Sequence, residues 1–264
     1  MSVAASADTT ALPAGPAAAA HRPARWPWLA AGGALAVALA ALAVSNPGLL
    51  AELSTYGPDL AVLGRQHLYL VAVSAGLAVL TGVPLGVLLS RERLTGSAEW
   101  VMQILNVGST VPTLAVLALS MGLLGIGTPP ALFALWLATL LPIVRNAYAG
   151  LRGVPPALVE AATGMGMTAA QRLLRVELPY AAPVLFAGVR TAVTVNVATA
   201  PLASLIGGGG LGDLIFTGIQ LYDPAMMLAG AIATALLALA ADGVLAWVQR
   251  LVTPRGLRPR AAGV

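Results

Sequence analysis

Apolar residues run along this chain in long stretches, broken by short polar segments. No charged residue occurs between Arg25 and Glu52, between Arg65 and Arg91, or between Glu99 and Arg145. A helix that crosses a bilayer needs about 20 apolar residues. The third run is long enough for two crossings, and Gly125-Ile-Gly-Thr-Pro-Pro130 supplies the turn that divides it. Spans are expected at about 26–45, 66–90, 100–124, 131–148, 181–206 and 224–248. Gly and Pro scatter through them, as lipid-buried helices tolerate. The fold class is therefore all-α: a polytopic membrane protein of about six transmembrane helices. Residues 66–250 form its transmembrane domain, and 26–45 is an additional N-terminal helix. An Ala-Leu-Ala at 41–43 leaves a cleaved leader as the other reading of that helix.

Composition agrees with the pattern. The chain is 58% hydrophobic and 9% charged, against roughly 25% charged in soluble domains. Residues 1–25, rich in Ala and Pro, are expected to be a disordered tail, and 251–264 a second, basic tail. Every basic residue other than the two histidines is an arginine. Placing the N-terminus inside puts twelve arginines on the cytoplasmic side and only Arg65 outside, with Arg190 in a span. That bias fixes the orientation, with both tails in the cytoplasm. It also accounts for the net charge of +4 without nucleic acid. The absence of cysteine excludes disulfides and thiolate metal sites. The absence of lysine excludes a Walker A loop, whose Lys reaches nucleotide phosphates.

One polar island stands between two apolar stretches, a loop at 150–180. Pro155 and Pro156 suit the first turn of a helix, which continues over 157–163 and ends at Gly164 and Gly166. Thr168 caps a second helix over 168–177. Pro179 and Pro183 then open the fifth span. A two-helix knob on the cytoplasmic face, with Ala161 and Ala162 as a smooth surface, is something another protein can grip. The plain alternative is a solvated connection between two spans.

Inside the spans, Gln103, Asn106, Thr110 and Thr113 share one helical face. Thr191, Thr194, Asn196 and Thr199 form a second polar patch, near a kink expected at Pro201. Both sets suit either interhelical hydrogen bonding or the lining of a translocation path. Arg190 and Asp242 are the fixed charges set well inside spans, at matching depth. An intramembrane salt bridge is expected, since an unpaired charge there costs a few kcal/mol. The run 207–212 reads G-x-G-x-x-G, but a span precedes it, so it is expected to be a hinge or close-packing point at the outer surface.

The spacing Glu160-Ala161-Ala162, Gly166 and Val176-Glu177-Leu178-Pro179 resembles the signature of the permease subunit of binding-protein-dependent ABC importers. Further stretches resemble the osmoprotectant branch of that family, among them Thr81-Gly-Val-Pro-Leu-Gly86, Leu140-Leu-Pro-Ile-Val-Arg-Asn146 and Val252-Thr-Pro-Arg-Gly-Leu257. The resemblance implies a type I ABC importer permease fold in a bacterial inner membrane, with the knob as a cytoplasmic coupling helix. Glu160, Ala161, Ala162, Gly166, Leu178 and Pro179 are then the ATPase-coupling residues. It implies import of glycine betaine, choline, carnitine or similar quaternary ammonium compounds. The partners implied are ABC ATPase subunits, a second permease subunit and an extracytoplasmic binding protein. ATP and Mg would sit on the ATPase, and this chain would hold no cofactor and perform no catalysis. Methionine-type amino-acid importers and an ergothioneine importer are the rival substrate readings. A membrane protein without a transport role is the rival class.

Overall fold

The computed structural model describes residues 48–91 and 94–252, with 32–34 and 37 besides. The expected 26–45 span and the tail at 1–25 lie essentially outside the described residues, as does the chain beyond Val252. The described part is helical. A short helix α1 (Leu49–Thr55) leads into the long α2 (Gly57–Leu89). Next come α3 (Thr95–Gly108), α4 (Thr113–Leu124) and α5 (Thr128–Arg152). The polar hairpin is α6 (Pro156–Gly164) and α7 (Ala169–Arg172), which runs through a wide turn (Leu173–Glu177) into α8 (Leu178–Thr199). A tight turn of helix (Ala200–Ile206), then α9 (Gly212–Leu221) and α10 (Pro224–Val252), complete it. Among the described residues, four helices are long and apolar enough to cross a membrane: 57–89, 128–152, 169–206 and 224–252. The bent pair α3 and α4 makes a fifth crossing if counted as one span.

Helix α5 is the spine. It packs along α2 on one side and α8 on the other, and α8 in turn packs on α10. Close approach to α2 depends on small residues, as between membrane helices generally. A methyl group at Gly86 would stand 2.5 Å from Ala147 Cβ and 3.0 Å from the Val144 carbonyl. Gly188 of α8 lies against Asn146 in the same way, where a methyl would come within 2.2 Å of its Cβ. Two apolar clusters fill the bundle. One joins Leu70, Leu117, Leu135, Val197 and Ile206. The other joins Ala78, Leu89, Ile143, Val144 and Val189.

Two expectations need correction and one is extended. The helix that carries the expected 66–90 crossing starts earlier, at Gly57, because Pro58 suits its first turn and Asp59 favours it. The third span is no single helix: α3 and α4 meet at 98°. Pro112 explains the break. It has no N–H to offer Gly108, and it bars Val111 from helical geometry. The Ser109 and Thr110 hydroxyls donate to the carbonyls of Asn106 and Val107, both at 2.7 Å. Finally, α7 does not end at a boundary with the fifth span but continues into it. Pro179 cannot bond the Arg175 carbonyl, and the backbone widens just before it. The Leu178 N–H reaches the Leu173 carbonyl, five residues back.

Candidate functional site

The hairpin begins with Pro155 and Pro156 at the start of α6. It turns at Gly166, whose φ of +78° is the left-handed conformation that glycine takes without strain. Gly164 stays helical, and Gly166 is the left-handed residue of the reversal. Thr168 then caps α7 in a capping box: its hydroxyl accepts from the Gln171 N–H at 3.3 Å, and its own N–H donates to Gln171 Oε1 at 2.9 Å. Glu160, Ala161, Met165 and Gly166 are exposed. Ala162 is buried, at 1% exposure. It belongs to the inner side of α6 and not to the smooth outer face expected of it. Leu178 and Pro179 are half-buried where the hairpin joins α8.

Sequence reasoning passed over the group at the base of this hairpin. Glu177 is 6% exposed. Its Oε2 lies 2.8 Å from Arg91 Nη2, two residues past the end of α2, and its Oε1 accepts from Arg172 Nε at 3.0 Å. Arg172 Nη1 also donates to the Thr163 hydroxyl at 3.0 Å. The available signal was that Glu177 is the one acidic residue between Glu160 and Asp213, with three arginines within 25 positions upstream of it or nearer.

Deeper in the bundle the structure brings Arg190 and Asp242 together. The contact is bidentate, Nε to Oδ1 and Nη2 to Oδ2, each 2.6 Å. The Thr194 hydroxyl approaches Asp242 Oδ1 at 3.4 Å. Thr194 is thereby engaged with the ion pair. Asn196 is 3% exposed and donates to the Ser74 hydroxyl at 2.8 Å, tying α8 to α2. Its Oδ1 is buried and has no hydrogen-bond partner among the described residues.

A cavity of about 690 Å³ opens between the bent pair, α5 and α8, a size typical of small-molecule sites. Thr113, Asn196 and Thr199 line it, as does Thr191. Gln103, Asn106 and Thr110 do not. The break at Pro112 takes Thr110 out of the helix and puts Thr113 on the next one, so the four residues expected on one face do not share it. Among the described residues that line the cavity, Arg145 of α5 is the one charged side chain. It lies within α5, near the cytoplasmic end of the span expected at 131–148.

At the opposite end from the hairpin, Gly207, Gly209 and Gly210 all take positive φ. The Gly210 N–H donates to Gln66 Oε1 at 3.2 Å. Gly212 lies so close to the Pro201 carbonyl that a methyl would come within 2.0 Å. The run is thus a tight packing point. A surface groove of about 640 Å³ beside it is lined by Arg65, Gln66, Tyr69 and Asp213, with 207–209 as its floor. Desolvation pushes the Asp213 carboxyl above its ordinary range. Nearby, the Tyr56 hydroxyl donates to Asp223 Oδ2, and Asp223 Oδ1 accepts from the Met226 N–H at 2.9 Å, capping α10. Among the described residues no group of His, Asp and Glu is placed to hold a metal ion.

Comparison with known proteins agrees across sequence and fold. Residues 82–255 match the family described as binding-protein-dependent transport system inner membrane component. The osmoprotectant import permease protein OsmY of Salmonella typhimurium is 57% identical over 196 residues, 74% of this chain and 83% of that one. The glycine betaine/carnitine/choline transport system permease protein OpuCB of Bacillus subtilis is 42% identical, over 80% of this chain and 96% of its own. Among solved structures, an inward-facing form of the MetNI methionine ABC transporter superposes with a TM-score of 0.66 at 25% identity. That match covers 74% of this chain and 97% of the other.

Proposed function

This chain belongs to the binding-protein-dependent transport system inner membrane component family, and from that premise we propose that it is the membrane subunit of an ATP-driven importer of osmoprotectants. The cargo is glycine betaine, choline, carnitine or a similar quaternary ammonium compound. The observation that carries the reading is the exposed hairpin bearing Glu160, Ala161 and Gly166, continuous with a membrane-crossing helix. The arginine bias puts that hairpin in the cytoplasm of a bacterial cell. There it docks on an ABC ATPase subunit, which binds ATP and Mg. Closure of two such ATPases moves the hairpins, and the helices tied to them alternate the path between its two openings. The cavity beside α4, α5 and α8 is half of that path, and a second permease subunit supplies the other half. A separate extracytoplasmic protein captures the substrate and delivers it at the glycine-rich end.

The substrate class rests on the printed functions of relatives at 57% and 42% identity. The methionine transporter, at 25%, supports the fold rather than the cargo. Uptake of radiolabelled glycine betaine under osmotic stress, in cells with and without this chain, tests the reading. The expected result is uptake that depends on the chain, on ATP and on the partner ATPase. Betaine uptake that is unchanged by deleting the chain, alongside lost methionine uptake, overturns the substrate class.

A further inference from the structure

The hairpin joins α8 through continuous helix, so a push on it reaches α8 directly. Helix α2 has no such covalent link, being separated from the hairpin by three intervening helices in sequence. It is nonetheless the main packing partner of the α5 spine. The tie between the hairpin base and α2 is the Glu177 carboxylate, one oxygen on Arg91, two residues past the end of α2, and the other on Arg172. Arg172 in turn holds the Thr163 hydroxyl of α6. We propose that Glu177 is a positioning residue: a latch that makes the cytoplasmic end of α2 move with the hairpin, so that ATPase motion is delivered to both helices flanking α5. This rests on the transport reading above and adds the route by which force enters the bundle.

Three features single out Glu177 from an ordinary surface ion pair. Its side chain is 8% exposed, while its arginine partners are 32% and 26% exposed. Both oxygens are engaged, so the carboxylate bridges two elements instead of pairing with one. It also ends the wide turn Leu173–Glu177, a local departure from α-helix of the kind often found at functional positions. Within that turn Leu174 and Arg175 remain exposed while Glu177 is buried. Exposed pairs are held loosely and contribute little. A buried, two-sided carboxylate constrains geometry far more tightly.

The test uses the full complex with ATPase and binding protein in proteoliposomes. Glu177→Gln and Arg91→Gln are each measured for betaine taken up and ATP hydrolysed. The latch predicts that uptake per ATP falls about tenfold in both variants, while ATPase stimulation by loaded binding protein persists. The double variant is expected to be no worse than either single one. A second measurement does not depend on transport. Hydrogen exchange on the purified chain is expected to quicken at residues 87–91 and 156–172 in Glu177→Gln, and to stay unchanged over 128–140. Wild-type uptake per ATP in both single variants overturns the latch. So does a parallel fall of ATPase and uptake, which marks loss of assembly only. A wild-type complex that moves no betaine overturns the transport reading instead, and unchanged exchange at 87–91 then overturns the latch as a physical tie.

Discussion

Removing the Arg190–Asp242 pair one side at a time probes how the bundle tolerates charge. Each partner alone would be left inside a span, where an uncompensated charge costs about 2.5–3.5 kcal/mol. Asp242 lies about 15 Å along α10 from the end at Val252, too far for full escape to water. Both side chains keep some exposure, 26% and 20%, so the lower end of that range applies. Arg190→Met and Asp242→Leu are each expected to destabilise the protein by about 2.5 kcal/mol. The double variant exchanges the pair for apolar contacts, which is commonly close to neutral and here is expected to cost about 1 kcal/mol. The double-mutant cycle therefore predicts a coupling of about 4 kcal/mol. Reversible unfolding in mixed micelles measures it. Single variants that each cost less than about 0.5 kcal/mol and simply add would refute the argument, because the two charges would then not depend on each other.

Other consequences follow from the same geometry. Gly166→Val meets nothing within 4 Å among the described residues but forces a branched side chain into φ +78°. It is expected to cost about 1–2 kcal/mol locally and to reduce uptake far more than membrane insertion, checked by uptake against the yield of folded protein. At Gly86, Leu would collide with Ala147 and the α5 backbone; a loss of about 3 kcal/mol or misfolding is expected by thermal unfolding in detergent. The Asp223 carboxyl is held below its ordinary value of 3.8, first by the Tyr56 hydroxyl and then by the Met226 N–H. Because the folded value is the lower one, the contribution is complete above the ordinary value and fades as pH falls through the folded value. The melting-temperature gap between wild type and Tyr56→Phe is expected to be steady from about pH 5 to 7 and to narrow as pH falls below the ordinary value of 3.8. A gap independent of pH would show that the hydroxyl does not act through this carboxylate.

Much of the architecture is written in residue types, and the parts that are not have identifiable physical reasons. Long apolar runs mark the spans at α2, α5 and α10 because lipid imposes one rule on every residue it touches. The start of α7 is readable at Thr168 because capping is local chemistry. Continuity from α7 into α8 is not, because Pro179 reads as a boundary unless the backbone is seen to widen before it. The polar spacing from Gln103 to Thr113 suggests one face only if the helix is straight, and Pro112 breaks it. Ala162 shows the limit of motif reading, since a motif residue can serve the inner side of its own helix. The surroundings of Glu177 and Arg145 depend on neighbours brought together by the fold, Arg91 beyond the end of α2 in one case and an apolar cavity in the other. No sequence period announces either.

The central claim is that the hairpin at 156–177 receives force from an ATPase on another chain. The chain has no cysteine, so Met165→Cys at the exposed tip gives a single attachment point. A short thiol cross-linker applied to the assembled complex is expected to join this residue to the ATPase subunit, with ATP-driven betaine uptake lost on linkage and recovered when a cleavable linker is cut. Efficient uptake with the tip fully modified by a bulky reagent, and no cross-link to any ATPase, would contradict the account.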